Sequence, residues 1–195
     1  MASVKGTETE KNLLASFAGE SQARNRYTFF AKQARKEGYV QMALIFEETA
    51  AQEKEHAERF WSCLEGGDVE ITAMYPAGFE GAFVGNTLEN LKHAAAGENL
   101  EHTELYPGFA DGADKEGFPE IAAQWRYIAK AEEYHERRYL DLARNISEGK
   151  VFKKDQPVIW RCLNCSYRHE GNEAPKLCPA CKHPQAYYEV SCENW

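Results

Sequence analysis

Two Glu-x-x-His segments constrain the fold of this chain most strongly. The first spans Glu53–His56 and the second spans Glu132–His135. On an α-helix, residues three apart leave the same face about one turn apart. Both pairs fall within stripes of apolar residues at helical spacing, which predicts that each lies on the buried face of an amphipathic helix. Buried charged groups are costly unless another group compensates them, so two such pairs in one core indicate a metal site.

Helical periodicity predicts four helices, at about 7–37, 39–65, 83–111 and 119–148. Gly38, Gly66 and Gly149 are expected to end the first, second and fourth helices, and residues 112–117 the third. Because the connection at Gly38 is so short, the first two helices are predicted to be antiparallel neighbours. Residues 66–82 contain Gly and Pro without a helical period, which predicts a long crossover. The expected architecture is a four-helix bundle.

The two halves of the predicted bundle repeat one another. A Lys-Glu-Gly-aromatic segment precedes each Glu-x-x-His, with 15 residues from its glycine to the glutamate. An Ala-Gly-Glu segment, ending in Glu20 or Glu98, lies 33 or 34 residues before the same glutamates. One Glu from the first helix of each hairpin and Glu-x-x-His from the second is the ligand set of ferritin-like di-iron or di-manganese bundles. The alternative is four amphipathic helices with satisfied core histidines and glutamates in N-terminal turns.

Three more side chains are candidates for this site. Glu101 lies three residues after the predicted ligand of the third helix, so it is expected in the same cavity, with a surface ion pair as the alternative. Tyr27 and Tyr106 each follow a predicted glutamate ligand by two turns, and they either pack in the core or donate hydrogen bonds to the carboxylates. His93 and His102 fall off the ligand positions and are predicted to be surface residues.

Four of the six cysteines form two Cys-x-x-Cys pairs near the end of the chain. Twelve residues separate the pairs, so two thiolate turns can meet at one tetrahedral ion. Sulfur tetrahedra hold zinc or iron, and the spacing does not choose between them. His169 and His183 could replace a cysteine in principle, but four thiolates already fill the site. The ligands predicted here are Cys162, Cys165, Cys178 and Cys181.

Composition excludes several classes of protein. A chain of 195 residues with 43% hydrophobic residues can build a substantial core, and a net charge of −8 argues against a nucleic-acid or anionic-membrane partner. Residues 1–19 contain no apolar segment typical of export, and no run approaches the ~18 apolar residues of a membrane span. Cysteine pairs in such a chain favour metal over disulfides, which predicts a cytoplasmic location. The expected division is a bundle at 1–149, a linker at 150–157 and a small metal domain at 158–195.

Taken together, these motifs resemble those of rubrerythrin over essentially the whole chain. The resemblance implies a mainly α protein, in which a ferritin-like four-helix bundle precedes a small rubredoxin-like β/loop domain. It implies three Fe per chain, one di-iron centre and one Fe(Cys)4 site, and zinc is possible in either site as isolated. The di-iron ligands that the family pattern implies are Glu20, Glu53, His56, Glu98, Glu101, Glu132 and His135.

The resemblance also implies a function. Rubrerythrins are non-haem iron peroxidases of anaerobic or microaerophilic microbes that reduce hydrogen peroxide to water. Their electrons come from NAD(P)H through separate reductases or rubredoxin. The family forms homodimers, with head-to-tail or domain-exchanged chains, in which the sulfur site of one chain lies near the di-iron site of the other.

Individual ligand roles follow from the same resemblance. Glu53 and Glu132 are expected to bridge the two irons. Glu20 and His135 are expected to be terminal ligands, and Glu98 is expected on the same iron as His135. The other iron is expected to choose between two ligands according to its redox state, because a carboxylate suits the ferric state and an imidazole the ferrous one. Those two ligands are Glu101 and His56.

One feature departs from the family pattern. Rubredoxin-like turns usually carry Gly after the second Cys of each pair, whereas this chain has Ser166 and Lys182. A side chain at positive φ costs conformational energy, so these residues are expected to affect the sulfur hydrogen bonds and the reduction potential while leaving the ligands intact.

Two functions of other classes compete with a peroxidase. The first is a ferroxidase or iron store, in which iron is the substrate. The cysteine module argues against it, because storage needs no site for electron entry. The second is a zinc-ribbon interaction module on a helical scaffold. Colour separates these alternatives, since sulfur-ligated ferric iron is red and zinc is colourless.

Overall fold

The computed structural model describes residues 3–67 and 84–193 of the chain. The predicted crossover at 66–82 therefore lies almost entirely outside the described residues. Five α-helices are α1 (Glu8–Glu37), α2 (Val40–Trp61), α3 (Thr87–Leu100), α4 (Tyr106–Lys115) and α5 (Pro119–Ser147), and a π-helical turn, Glu101–Leu105, joins α3 to α4. Three strands follow, β1 (Lys153–Cys162), β2 (Arg168–Glu173) and β3 (Tyr188–Val190), with a 3-10 turn at Gln185–Tyr187.

Local capping explains where the helices begin and end. The side chain of Thr7 accepts a hydrogen bond from the backbone of Glu10 at the start of α1, and Gly38 ends α1 with a left-handed φ of 84°. Asn86 forms a capping box with Glu89, which starts α3 later than the predicted residue 83.

The first and last bundle helices were predicted within about a residue, but the other two were not. The predicted end of the second helix at 65 is wrong, because α2 ends at Trp61. The predicted end of the third helix at 111 is also wrong: Gly112 is tolerated inside α4, and the turn follows Lys115. A continuous helix therefore faces α5 along its length.

Two apolar layers enclose a polar layer at the middle of the bundle. Apolar side chains seven or eight residues before and after the buried glutamates pack into separate clusters, so each glutamate lies about two turns from each cluster. One cluster contains Tyr27, Phe46, Leu91 and Tyr139, and the other contains Leu13, Phe60, Tyr106 and Trp125. The charged residues are thus held at one level of the bundle by a hydrophobic core on either side.

The small sheet has the strand order β2-β1-β3, and both pairings are antiparallel. Trp160 on β1 is fully buried, and its indole N–H donates a hydrogen bond to the carbonyl of Gly171. Just before β1, the ring of Phe152 stacks on that of Tyr39 in the turn between α1 and α2, with 6.3 Å between the ring centroids.

These elements confirm the predicted class, a mainly α protein that ends in a small β/loop unit. Strand β1 begins at Lys153, within the predicted linker at 150–157. The division into domains at residues 149 and 158 stays a prediction. In the described part of the chain, no helix combines the length and hydrophobicity needed to cross a membrane.

Candidate metal centres

Two groups of four side chains converge at the polar layer of the bundle. In each group, one ligand atom per residue lies within 4.8 Å of the others. Glu53 and Glu132 belong to both groups, so two ions could share their carboxylates. Glu20 and His56 complete the first group, and Glu98 and His135 complete the second.

The shared carboxylates present one oxygen to each half of the site. The Nδ1 atom of His56 lies 2.9 Å from Oε2 of Glu53 and 2.9 Å from Oε1 of Glu132. The Nδ1 atom of His135 lies 3.3 Å from Oε1 of Glu53 and 2.8 Å from Oε2 of Glu132. Each carboxylate therefore divides its two oxygens between the two imidazoles, an arrangement suited to bridging two cations.

Burial makes this cluster a poor hydrogen-bond network and a good cation site. The four glutamates of the two groups are at most 1% exposed. Buried polar atoms without partners are costly in a folded protein, and carboxylate oxygens and imidazole nitrogens that converge are ordinary ligands of iron. The atoms that lack a hydrogen-bond partner among the described residues include Glu20 Oε2, Glu53 Oε1, Glu98 Oε2, both carboxylate oxygens of Glu132 and Nδ1 of His135.

The pKa values follow from the same crowding. Burial, with the charges of neighbouring carboxylates, raises the pKa of Glu20 well above its ordinary value and that of Glu98 to about 8. Burial opposes the charged imidazoles, but the carboxylate oxygens close to their Nδ1 atoms outweigh it and raise the pKa of His56 to about 10 and that of His135 to about 12. Burial also opposes ionisation of Glu53, but the two imidazoles beside its oxygens lower its pKa to about 2. The cluster retains protons where it has no metal cations.

Two tyrosines donate hydrogen bonds across the site to glutamates on the opposite pair of helices. The hydroxyl of Tyr27 on α1 donates a hydrogen bond to Oε1 of Glu98 on α3, at 2.5 Å. The hydroxyl of Tyr106 on α4 donates to Oε1 of Glu20 on α1. Both tyrosines are 2% exposed. Each carboxylate therefore has one oxygen fixed by a phenol and the other free to face an ion.

Glu101 begins the π-helical turn and is 6% exposed. It lies outside both groups of four, yet its charge raises the pKa of Glu20 and of Tyr106. Together with burial, the same charge also raises the pKa of Tyr27, which donates to Glu98, so Glu101 lies near the cluster as a whole. His93 is exposed, as predicted, whereas His102 is only partly exposed because its Nε2 lies 2.6 Å from Oε2 of Glu136.

Sequence reasoning missed the residues that orient the ligands on α2 and α5. Nε2 of His135 lies 3.0 Å from Oε1 of Gln52, which fixes the ring and leaves Nδ1 facing the carboxylates. Arg138 donates a hydrogen bond to the hydroxyl of Thr49 at 2.6 Å and so ties α5 to α2. For Thr49, the sequence position was an indication, because Thr49 lies one turn before Glu53 on the same face of the helix.

The four predicted cysteines meet at the end of the sheet. Sγ of Cys162 lies 3.7 Å from Sγ of Cys181, and Sγ of Cys165 lies 3.7 Å from Sγ of Cys178. Disulfide sulfurs are about 2.05 Å apart, whereas a tetrahedron with metal–sulfur bonds of about 2.3 Å has edges of about 3.8 Å. The spacing of the sulfurs therefore fits a bound metal ion.

The two cysteine turns have the same backbone geometry. Ser166 and Lys182, which follow the second Cys of each pair, have φ of 62° and 60°. Their amides donate hydrogen bonds to the carbonyls of Cys162 and Cys178, at 2.8 and 2.9 Å. Both residues thus adopt the left-handed conformation that glycine accommodates most easily.

Comparison with protein families matches both parts of the chain. Residues 11–143 match the family model described as Rubrerythrin, and residues 160–189 match the model described as Rubrerythrin, rubredoxin-like domain. The chain belongs to the rubrerythrin family. A rubrerythrin of Porphyromonas gingivalis is 59% identical over 99% of this chain and 94% of its own length. A rubrerythrin of Nitratidesulfovibrio vulgaris is 56% identical over the full length of both chains.

Solved structures agree with this assignment. Nigerythrin in its fully reduced, all-ferrous state has a TM-score of 0.61 and 31% identity, over 97% of this chain and 92% of that one. Rubrerythrins are di-iron, ferritin-like proteins and generally oxidoreductases. The chain therefore carries a di-iron carboxylate/histidine site and a rubredoxin-like four-cysteine iron site.

Proposed function

We propose that this protein is a non-haem di-iron peroxidase that reduces hydrogen peroxide to water, with electrons relayed through the four-cysteine iron site. The observation that supports this most directly is the division of two carboxylates between two imidazoles, beside a separate site of four sulfurs. When bound, the iron pair supplies the two electrons needed to cleave the O–O bond. A site with four protein sulfurs has no open position for substrate, so its role is to pass electrons.

Each ligand has a distinct role in this proposal. Glu53 and Glu132 would contribute to the binding of both irons, because each has an oxygen beside each imidazole. Glu98 and His135 would bind one iron, and Glu20 would bind the other. His56 and Glu101 would be the alternative ligands of that second iron, with the carboxylate suited to its ferric state and the imidazole to its ferrous state. All seven of these residues are therefore proposed as catalytic ligands, and Tyr27 and Tyr106 as the residues that position the carboxylates.

Access to the site is proposed to lie beside His56. Its side chain is 16% exposed, whereas that of His135 is 3% exposed and those of Glu20 and Glu132 are fully buried. A small substrate such as hydrogen peroxide needs only a narrow path, and burial of the rest of the site keeps bulk water from the reacting atoms.

Electron delivery is proposed to occur between two chains of a homodimer. Within one chain, the cysteine module contacts the bundle at Tyr39, and Glu53 lies 14 residues further along. At 1.5 Å per residue this is about 21 Å along α2. A head-to-tail or domain-exchanged dimer, as the family resemblance implies, would bring the sulfur site of the second chain closer. The proposed donors are rubredoxin or reductase-type proteins, and the proposed location is the cytoplasm.

The variant Cys178→Ser in the full chain tests the relay. It removes one sulfur ligand and leaves the bundle unchanged, so chemically reduced protein should be reoxidised by hydrogen peroxide as fast as the parent. Steady turnover with NADH and a reductase should stop, and the thiolate-to-iron absorption should disappear. Cys192→Ser, which changes an exposed cysteine outside the site, should behave as the parent does.

Two results would contradict the proposal. Full steady-state activity of Cys178→Ser would mean that electrons enter the bundle directly. Iron that accumulates without consumption of reductant, in the parent and in both variants, would favour a ferroxidase.

A further inference from the structure

Glu136 joins α5 to the π-helical turn through both of its carboxylate oxygens. Oε1 accepts a hydrogen bond from the side-chain amide of Asn99, near the end of α3, at 3.0 Å. Oε2 lies 2.6 Å from Nε2 of His102, which belongs to the π-helical turn. A carboxylate accepts hydrogen bonds, so this contact places the ring proton on Nε2. These three residues, the Glu136 network, therefore hold α3 and the turn that follows it against α5.

Each residue of the Glu136 network directly follows a proposed ligand of the iron pair. Neighbours on a helix are rotated by about 100°, so the network lies beside the ligand face and not on it. None of its residues belongs to either group of four ligands. The network therefore supports the backbone that carries the ligands. The pairs of ligand and network residue are Glu98–Asn99, Glu101–His102 and His135–Glu136.

The equivalent positions in the first half of the internal repeat cannot form such a network. Ser21 is found where the second half has Asn99, and Ala57 where it has Glu136. The hydroxyl of Ser21 donates to a carbonyl of its own helix at 2.7 Å, and alanine has no polar side-chain atom. Helix α1 is also uninterrupted. The network thus accompanies the π-helical turn and its additional carboxylate, Glu101.

The backbone of the turn is fixed on both sides of Glu101. The amide of Tyr106 donates to the carbonyl of Glu101, which is the hydrogen bond of a π-helix. The hydroxyl of Thr103 donates to the carbonyl of Asn99 at 2.6 Å. Because the Glu136 network adds two side-chain contacts to these, the main freedom left to Glu101 is rotation of its own side chain. An exchange of ligands at the iron then needs no movement of the helix.

We propose that Glu136 is a positioning residue that fixes the π-helical turn on α5, through Asn99 and His102, and so holds Glu101 within reach of the iron pair. Without the network the turn gains conformational freedom, which Glu101 must lose whenever it binds iron. Turnover then slows although every ligand is present. The inference rests on the proposed function of Glu101 as one of two alternative ligands.

Steady turnover of hydrogen peroxide by the full-length, iron-loaded protein tests whether Glu136 acts through Glu101. Glu136→Ala should lower kcat by about tenfold, the loss expected for a hydrogen bond to a charged group. In a protein that already carries Glu101→Ala, the same replacement should leave kcat unchanged, because no carboxylate remains to be positioned. A general loss of structure would slow both proteins equally.

Amide hydrogen exchange of the metal-free protein gives a readout that does not depend on activity. The amides of the π-helical turn should exchange about tenfold faster in Glu136→Ala than in the parent. Glu136→Gln should restore parental exchange and turnover, since an amide can accept from Asn99 and donate to a neutral ring of His102. Glu133→Ala is the matched control: Glu133 directly follows the ligand Glu132 on the same helix but is exposed, so this variant should behave as the parent does.

The outcomes separate this inference from the proposed function. Equal slowing of the parent and of Glu101→Ala by the Glu136→Ala replacement would overturn the inference alone. Parental exchange rates in Glu136→Ala, or a Glu136→Gln protein as slow as Glu136→Ala, would also overturn it. Absence of peroxide turnover in the parent, or parental turnover in Glu101→Ala, would overturn the proposed function of Glu101 and this inference together.

His102→Ala decides the question if Glu136→Ala does not fold or does not bind iron. It removes one contact of the network and leaves Glu136, whose side chain is 19% exposed, paired with Asn99. This variant should also be slower than the parent and should have no effect in the Glu101→Ala protein. Equal slowing of both proteins, or of neither, would overturn the inference.

Discussion

Replacing Glu53 by alanine removes a carboxylate that belongs to both groups of four ligand atoms, whereas Glu20→Ala leaves the second group whole. The two variants therefore differ in the number of ions they should retain. After anaerobic loading with ferrous iron and removal of the excess, Glu53→Ala should retain almost no iron in the bundle. Glu20→Ala should retain about one ion, held by the four residues of the second group. All of these variants are made in a protein that also carries Cys178→Ser, so that the four-cysteine site contributes no iron to the count.

The magnitude of the stability change follows from what Glu53 contacts. Its carboxylate is 1% exposed and neutralises His56 and His135, both largely buried. Removing one partner of a buried charged group costs about 3–5 kcal/mol. For a chain of this size, each kcal/mol lowers Tm by about 2–4 °C, so the metal-free Glu53→Ala variant should melt about 6–20 °C below the metal-free parent. Loss of bound iron should widen that difference in the loaded proteins.

Metal analysis and thermal unfolding followed by circular dichroism measure the two effects. Glu55→Ala is the control, because Glu55 is on the same helix but is exposed and forms a surface ion pair with Lys54 at 3.2 Å. A surface pair of this kind contributes about 0–1 kcal/mol, so this variant should bind iron and melt as the parent does. A Glu53→Ala protein that still holds two ions in the bundle would refute the bridging role. Identical stoichiometries for Glu20→Ala and Glu53→Ala would refute the division of the site into two halves.

Three further changes test other parts of the structure. Glu101→Ala should keep both ions, because Glu101 lies outside both groups of four ligands. It should lower the rate of peroxide turnover. Turnover equal to that of the parent would show that Glu101 is an ordinary buried carboxylate. The free energy of unfolding of the metal-free protein, measured by guanidinium titration, should fall from pH 6.5 to 10. The reason is that His56 and Glu98 bind protons more tightly in the folded state, where their pKa values are about 10 and about 8. Constant or rising stability over this range would contradict these shifts. Ser166→Gly should stabilise the cysteine module by about 1 kcal/mol, since a side chain at φ 62° is strained. Unchanged unfolding of that module, followed by loss of the thiolate-to-iron absorption, would show that the strain is compensated.

The fold and its metal chemistry could be predicted because the ligands interrupt strong patterns. Glu53 lies seven residues after Phe46 and seven before Phe60, so a carboxylate occupies a position where helical periodicity demands an apolar side chain. Glu132 lies in the same way between Trp125 and Tyr139. A polar residue at a core position is informative, since burial without compensation is costly. The paired cysteines are informative for a different reason: four soft ligands at that spacing have few other uses.

The residues that orient the ligands carry no such pattern. Gln52 is an ordinary polar residue on a helix, and only the packing of α5 against α2 brings it to the ring of His135. The guanidinium of Arg138 likewise reaches the hydroxyl of Thr49 because α5 packs against α2, which depends on tertiary structure. Contacts of this kind depend on how elements dock, and spacing along one element does not encode them.

The π-helical turn is different, because a residue spacing in the sequence indicates it. Tyr27 follows Glu20 by 7 residues, whereas its counterpart Tyr106 follows Glu98 by 8. In a regular α-helix, an eighth residue is rotated by about 100° from the seventh, so Tyr106 would turn away from the site. A π-helical turn accommodates one extra residue and restores the phase, and such turns are frequent at functional sites. The turn lies between the two residues of the longer interval, at Glu101–Leu105, and the Tyr106 hydroxyl reaches Glu20 as the Tyr27 hydroxyl reaches Glu98. The extra residue that breaks the internal repeat is thus accommodated in the π-helical turn, which Glu101 begins. The departure from the repeat and the additional carboxylate therefore occur at the same place in the structure.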